Sequence, residues 1–386
     1  MNEKKYILTL LMSISILLVL VAITNLIVDP KGFYKFSLFE SSNEKYLNLI
    51  SKNFSQGSLA QGINLNLLDQ RGIKYHKILK NRSEEFDCII FGASQVHQFT
   101  SIGPHKALAE ECKSILNFSF PGSSIEDYLA ATHIITSNNH KDLKLFFSIS
   151  PQLFSSNGSK YLLWLQNLEY VNRMNNQLTN SIDIDNPYLT LVTNLINPDY
   201  FLRSLKRIFA AEYQDPFNVK NINYEEGNES TLILRDGSLV YSSEYIKLKD
   251  AKPIIPLPEL KLNRSLDTKN NNKNLNIGKI EISSDGSLYS TSLFETFKEL
   301  MNLLDERGHD INFIFTPIHE AVYFDSLNSF MAQSLRQVES EVLRYARQFE
   351  FDIFGSYNPR IVGCDRSEYY DSTHLKYSCI TKIRAF

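Results

Sequence analysis

Phe86-Asp87-Cys88-Ile89-Ile90-Phe91-Gly92-Ala93-Ser94 decides the architecture of this chain. Residues 88–91 are too short for a helix and apolar throughout. They leave through Gly92 and Ala93 onto a serine, which reads as a buried strand with Ser94 at its C-terminal tip. Close to the other end of the chain stands Tyr370-Asp371-Ser372-Thr373-His374. The two stretches share a pattern: a hydroxyl placed at a strand end, and a carboxylate and an imidazole three residues apart.

From Phe86 onward, strand and helix patterns alternate. Residues 115–119 and 143–149 read as further buried strands. Between them Ser124-Ile125-Glu126-Asp127 matches a capping box, and Ile125, Tyr128, Leu129, Thr132 and Ile135 fall on one helical face. A second amphipathic helix carries Leu293, Phe297, Leu300, Met301 and Leu304 and stops at Gly308. Strand 311–315, a helix with Leu335, Val338, Val342 and Tyr345, and strand 351–354 follow. This rhythm predicts an α/β domain over 86–386, a parallel sheet covered by helices on both faces.

Ahead of it, Tyr6 to Val28 is an apolar run long enough to cross a hydrocarbon core of roughly 30 Å. Lys4 and Lys5 precede the run and Asp29-Pro30 closes it. No small-x-small cleavage site follows, so an uncleaved single-pass signal anchor is expected, with residues 1–5 cytoplasmic and the rest exported. The expected location is the inner, cytoplasmic membrane, with the folded domain on the periplasmic side. Residues 29–85 read as a juxtamembrane stem of mixed helix and loop. Residues 154–282 break the α/β rhythm and read as an insertion. It contains a hairpin, 232–234 with 239–241, around Asp236-Gly237, an extended proline segment at 253–258, and a polar tract at 269–274.

Composition narrows the function classes. A length of 386 residues with 43% hydrophobic content supplies one large core or two ordinary ones. A net charge of −3 with no long basic block disfavours nucleic acid as a partner. The 20 tyrosines and 25 phenylalanines suit a wide core, or a stacking surface for sugars. Cys88, Cys112, Cys364 and Cys379 admit three disulfide pairings in an exported domain. Their spacing matches no metal site, there is no Gly-rich phosphate loop, and no cofactor is expected.

The chemistry these residues suit is nucleophilic. In an open parallel sheet, ligands gather beyond the carboxyl ends of the strands, which is where Ser94 is predicted. A serine hydroxyl needs a base to take its proton. His374 is the candidate base, with Asp371 holding the ring by its other nitrogen. The Ser94 amide and Gly122, in Phe120-Pro121-Gly122-Ser123-Ser124, are candidate donors to a developing oxyanion. His97, three residues beyond Ser94, and His319, in Thr316-Pro317-Ile318-His319, are candidates to contact substrate. Both also have ordinary structural readings, as a solvent-facing helix residue and a hydrogen-bonded loop histidine.

These motifs resemble the SGNH (GDSL-like) hydrolase superfamily. Gly92-Ala93-Ser94 is similar to its first block, Asn117-Phe118-Ser119-Phe120-Pro121-Gly122 to its oxyanion-glycine block, and Asp371-x-x-His374 to its last. Asp29-Pro30 after the anchor, Thr316-Pro317-Ile318-His319 and Asp352-Ile353-Phe354-Gly355-Ser356-Tyr357-Asn358 are similar to the membrane-anchored branch that acylates cell-envelope polymers. That branch includes alginate O-acetylation proteins and the D-alanyl transfer protein of teichoic acid synthesis. The resemblance covers roughly 86–150 and 311–374. Where the superfamily carries an asparagine after its third strand, this chain reads Phe147-Ser148-Ile149-Ser150-Pro151-Gln152, with no asparagine.

The resemblance implies a flavodoxin-like three-layer sandwich and a triad of Ser94, His374 and Asp371. It also implies an extracytoplasmic O-acyltransferase or esterase acting on a surface polysaccharide or related glycan, with a multi-pass membrane acyltransferase as the acyl-donating partner. The alternative expectation is a catalytically silent binding or scaffold protein of the same fold in a polymer-assembly complex.

Overall fold

A computed structural model of the chain describes residues 3–30, 33–34, 62–64, 74, 85–137, 142–154, 163–182, 187–209, 218–219, 221–225, 227–250, 289–324 and 330–385. The expected proline segment at 253–258 and the polar tract at 269–274 lie outside the described residues, as does most of the stem. The described strands are β1 (Gly62–Asn64), β2 (Cys88–Gly92), β3 (Ile115–Ser119), β4 (Lys144–Ser148), β5 (Asn218–Val219), β6 (Leu232–Leu234), β7 (Leu239–Val240), β8 (Asp310–Phe315) and β9 (Asp352–Gly355). The longer helices are α1 (Glu3–Val28), α2 (Ile125–Thr136), α3 (Leu168–Asn175), α4 (Pro187–Leu195), α5 (Pro198–Phe209), α6 (Ser243–Asp250), α7 (Thr291–Glu306) and α8 (Phe330–Phe349).

Five strands form the main sheet in the order β3-β2-β4-β8-β9, every neighbouring pair parallel. Side chains alternate along each strand, so the sheet builds two separate cores. Ile89, Phe91, Leu116, Phe118, Leu145, Phe147, Ile311 and Phe313 share one core with the inward residues of α2, α7 and α8. Cys88, Ile90, Ile115, Phe146, Ile314 and Phe354 face the other way and share a second core with Phe99, Leu375 and Ile380.

Long helices were expected on both faces; among the described residues they cover only one. The reason lies in the strand order. The chain moves from β2 to β3 in one direction, then from β3 through β4 and β8 to β9 in the other. Right-handed crossovers therefore put α2, α7 and α8 on the same side. Among the described residues the opposite face is covered mainly by the β2–β3 connection and the C-terminal tail, with Tyr224 of the insertion packed against them. The connection and the tail contain a 3₁₀ turn (Ser94–Val96) and a four-residue helix (Tyr377–Ile380). Two disulfides fasten this thin layer: Cys88–Cys112 ties the first connection to β2, and Cys364–Cys379 closes the tail.

The remaining strands form a second, antiparallel sheet in the order β5-β1-β6-β7. The expected hairpin is β6–β7, turned at Asp236-Gly237, where Gly237 has φ 81° and its amide donates to the Leu234 carbonyl at 2.9 Å. The sheet is not built from the insertion alone. β1, from the region expected to be helix and loop, lies between β5 and β6, so stem and insertion fold together.

α1 is long and apolar enough to cross a membrane. Its residues 4–20 are exposed, whereas Asn25, Val28 and Asp29 are buried against the domain.

Removing the Cys364–Cys379 bridge by a double Cys→Ala substitution is expected to lower unfolding stability by about 2–4 kcal/mol. The loss should appear as a reduced urea midpoint. An unchanged midpoint would show that the tail layer is held by packing alone.

Candidate active site

Gly92 ends β2 in a place that tolerates no side chain. A Cβ there would lie 2.5 Å from Val96 Cγ2 and 2.7 Å from Ser148 Cβ. Glycine thus lets the chain turn back over its own strand end next to β4. The turn is a 3₁₀ helix beginning at Ser94, with the Val96 amide bonded to the Ala93 carbonyl and the His97 amide to the Ser94 carbonyl. Ser94 is only half-buried, at the rim of the sheet's carboxyl edge.

The Asp371–His374 loop arrives at the same edge. The three-residue spacing lets a single carboxylate organise it. Asp371 Oδ1 accepts the backbone amides of Thr373 at 2.9 Å and His374 at 2.8 Å. The same carboxylate lies 2.8 Å from His374 Nδ1 through both of its oxygens. The Tyr370 amide donates to the His374 carbonyl at 2.9 Å and closes the loop. With Nδ1 held, Nε2 points at Ser94 Oγ, 2.9 Å away. Hydroxyl, imidazole and carboxylate from residues 280 positions apart thus stand in one hydrogen-bonded series. Side-chain exposures of 12% for His374 and 15% for Asp371 leave the pair partly shielded yet reachable.

Gly122 lies in the turn after β3, beside β2, with φ 58°, a left-handed conformation that favours glycine. The Phe120 amide and the Ser123 hydroxyl both donate to the Gly92 carbonyl at 2.8 Å, which draws this turn over the strand end that carries Ser94. Behind it, Asp127 accepts the Ser124 amide at 3.1 Å at the start of α2.

The two other histidines take structural places. His97 is 3% exposed, and its carbonyl accepts the Leu239 amide of β7 at 2.7 Å. It lies under the hairpin rather than on a solvent-facing helix. His319 is also 3% exposed. Its Nδ1 accepts the Ala321 amide at 3.2 Å and its amide donates to the Ser372 carbonyl at 3.0 Å. Burial lowers its pKa and favours the neutral ring. His319 therefore supports the Asp371–His374 loop from behind. After β4, Ser150 is buried and Gln152 is exposed.

Several residues at the site were not singled out by sequence reasoning. Tyr241, just past β7, donates to the Ser94 carbonyl at 3.4 Å and stacks on Tyr245 with centroids 4.1 Å apart. Both rings lie nearly perpendicular to the His374 ring with centroids 6.4 Å away, and Tyr241 also meets Tyr370. Burial, then the charge and hydrogen bond of Tyr245, pushes the Tyr241 phenol well above its ordinary pKa, so it stays a neutral donor. The tyrosines at 241 and 245 are indistinguishable in sequence from the chain's other aromatics; only the hairpin's placement brings them here.

Asn117, which opens the quoted glycine block but was assigned no role there, is a third. Fully buried on β3, it donates from Nδ2 to the Val96 carbonyl at 2.7 Å and the Phe99 carbonyl at 2.9 Å, beneath the turn that carries Ser94. Its Oδ1 accepts the Ser119 hydroxyl at 2.5 Å and faces Lys74 Nζ at 3.5 Å. Its amide donates to the Asp236 carbonyl at 2.6 Å. Among the described residues no group of three or more His, Cys, Asp or Glu is placed to hold a metal ion. No family model matches the chain, and no curated protein matches it.

Asn117→Ala leaves the buried Phe99 carbonyl without that donor and is expected to cost about 1–3 kcal/mol. Urea unfolding measures this loss, and a change below about 0.5 kcal/mol would remove Asn117 from the support of the turn.

Proposed function

We propose that this protein is an extracytoplasmic, serine-dependent O-acyltransferase or esterase of the SGNH type, held at a membrane by α1 and acting on a surface polysaccharide or related glycan. The observation that carries the reading is the unbroken series from Ser94 Oγ through His374 to the Asp371 carboxylate, at 2.9 and 2.8 Å. Its position adds support. Numbered within the main sheet alone, the strand order β3-β2-β4-β8-β9 is 2-1-3-4-5, the flavodoxin-like order, and Ser94 follows the strand where that order reverses. Two disulfides fit an oxidising, extracytoplasmic compartment.

In this reading His374 Nε2 takes the Ser94 proton as Oγ attacks the acyl carbonyl, and a carbon–oxygen bond forms. Asp371 keeps Nδ1–H in place and stabilises the imidazolium. The developing oxyanion is met by the Ser94 and Gly122 amides. The tetrahedral species collapses when His374 returns its proton to the departing alkoxide, which leaves an acyl-serine. A glycan hydroxyl, or water, then gives up its proton to His374 and attacks the acyl carbon. On collapse the acyl carbon–Ser94 Oγ bond breaks, His374 returns its proton to Ser94 Oγ, and the product is the acylated glycan or the free acid. The stacked Tyr241 and Tyr245 supply an apolar, aromatic wall of the kind sugars stack on. A multi-pass membrane acyltransferase is the proposed source of the acyl group.

A second reading, a non-catalytic scaffold of the same fold, draws on one feature: where the family carries a third oxyanion donor this chain has the exposed Gln152.

A fluorophosphonate probe separates the two. Wild-type protein is expected to be labelled at Ser94, and Ser94→Ala and His374→Ala to lose labelling and acetyl-ester turnover by several orders of magnitude while remaining folded. An unlabelled wild type favours the scaffold; full turnover in Ser94→Ala rejects the mechanism.

A further inference from the structure

The last turns of α1 are clamped by the helix pair α4 and α5. Asn25 Nδ2 donates to the Leu195 carbonyl at 2.8 Å, and Ser204 Oγ donates to Asn25 Oδ1 at 2.9 Å. One turn later Asp29 accepts the Phe33 and Tyr34 amides, each at 2.8 Å, and the Tyr200 hydroxyl at 2.6 Å. Tyr34 in turn donates to the Leu191 carbonyl at 2.7 Å. These polar contacts lie on the side of the pair that faces α1.

The outer side of the pair carries a group of exposed apolar residues, with the exposed charges Asp199, Arg203 and Lys206 on α5. Tyr188, Val192 and Ile196 recur every four residues along α4 and its end, with exposures of 69%, 60% and 49%. Leu202 and Phe209, two turns apart on α5, are 55% and 76% exposed.

Length decides what covers this face. The freely exposed part of the apolar run, residues 6–20, reaches only about 22 Å at 1.5 Å per residue. A hydrocarbon core is roughly 30 Å thick. The missing distance of about 8 Å takes in about five residues beyond Leu20, mostly half-buried and ending at Asn25, which α4 and α5 hold. If α1 spans the bilayer, its clamp enters with it.

We propose that α4 and α5 form a monotopic membrane hairpin that buries Tyr188, Val192, Ile196, Leu202 and Phe209 in the lipid leaflet beside α1, with Arg203 and Lys206 at the headgroups. The occupant of the face is lipid. The inference rests on the reading of α1 as an anchor and is independent of the chemistry at Ser94.

All four cysteines are in disulfides, so an introduced cysteine is the one free thiol. Spin labels at Val192→Cys and Leu202→Cys, in the full chain reconstituted alone in phosphatidylglycerol-containing liposomes, report depth through collisions with oxygen and nickel-EDDA. Leu18→Cys serves as the bilayer reference and the exposed Glu306→Cys as the water reference. The expected oxygen-to-nickel ratio at 192 and 202 approaches that at 18 and exceeds that at 306 several-fold. A ratio at 192 and 202 equal to that at 306, with 18 lipid-like, overturns the hairpin. A water-like label at 18 overturns the anchor reading itself. Protection that disappears on dilution into excess lipid assigns the face to a second copy of the chain and overturns the lipid assignment.

Discussion

β2 lies between two parallel partners with both of its faces buried, and the arrangement of the molecule follows from that constraint. β3 pairs with all of the strand on one side and β4 with Cys88–Phe91 on the other. Ile89 and Phe91 fill one core while Cys88 and Ile90 fill the other. The connection after β2 runs toward β3 and the one after its neighbour β4 runs toward β8, in opposite directions across the sheet, so a crevice opens between their carboxyl ends. Gly92 is the adaptation to crowding at that point: it lets the turn fold back until Ser94 stands at the rim.

Three segments distant in sequence converge on this turn, and each holds it by a different physical means. Asn117 binds its carbonyls from beneath, the hairpin binds it from the side through Leu239 and Tyr241, and the Asp371–His374 loop meets it from above. The underside contains buried charge. Asp236 is fully buried and accepts the hydroxyls of Thr100 and Ser238, each at 2.5 Å. Burial raises its pKa, while those hydrogen bonds and the positive charge of Lys74 pull it back down. Lys74, equally buried, donates to the Ser119 carbonyl at 2.7 Å. Buried charges persist only when paired and hydrogen-bonded. The network therefore binds a residue between anchor and sheet, a sheet strand and the insertion hairpin into one unit.

The two faces of the sheet solve their packing in different ways. One has three amphipathic helices and an aromatic core running through Phe147, Phe297 and Phe313. The other is covered by short turns that pack Phe99, Leu375 and Ile380 on the sheet, and covalent bridges fasten them where no long helix does. That thinner layer carries His374, so the candidate site is built on the part of the molecule where disulfides substitute for a helix.

Much of this architecture was legible in the chain itself. Strand 115–119 was read at its observed limits and β2, β4, β8 and β9 to within one residue at either end, because parallel strands buried on both faces appear as continuous apolar runs. The stripes on α2, α7 and α8 were equally plain, as was the apolar length of α1. Asp371 and His374 were paired by their spacing, which lets one carboxylate bond both the backbone and the ring of the histidine. The tertiary structure alone decided the rest. The one-sided placement of the helices depends on strand order and crossover hand, which no local pattern encodes. β1 joins strands far along the chain, and a three-residue strand has too little periodicity to announce itself. Tyr241 and Asn117 acquire their places only when remote backbone carbonyls are brought to them, and Tyr245 only when His374 is. Local sequence determines which residues must be hidden from water; which hidden or half-hidden groups meet is settled by the path of the chain between them.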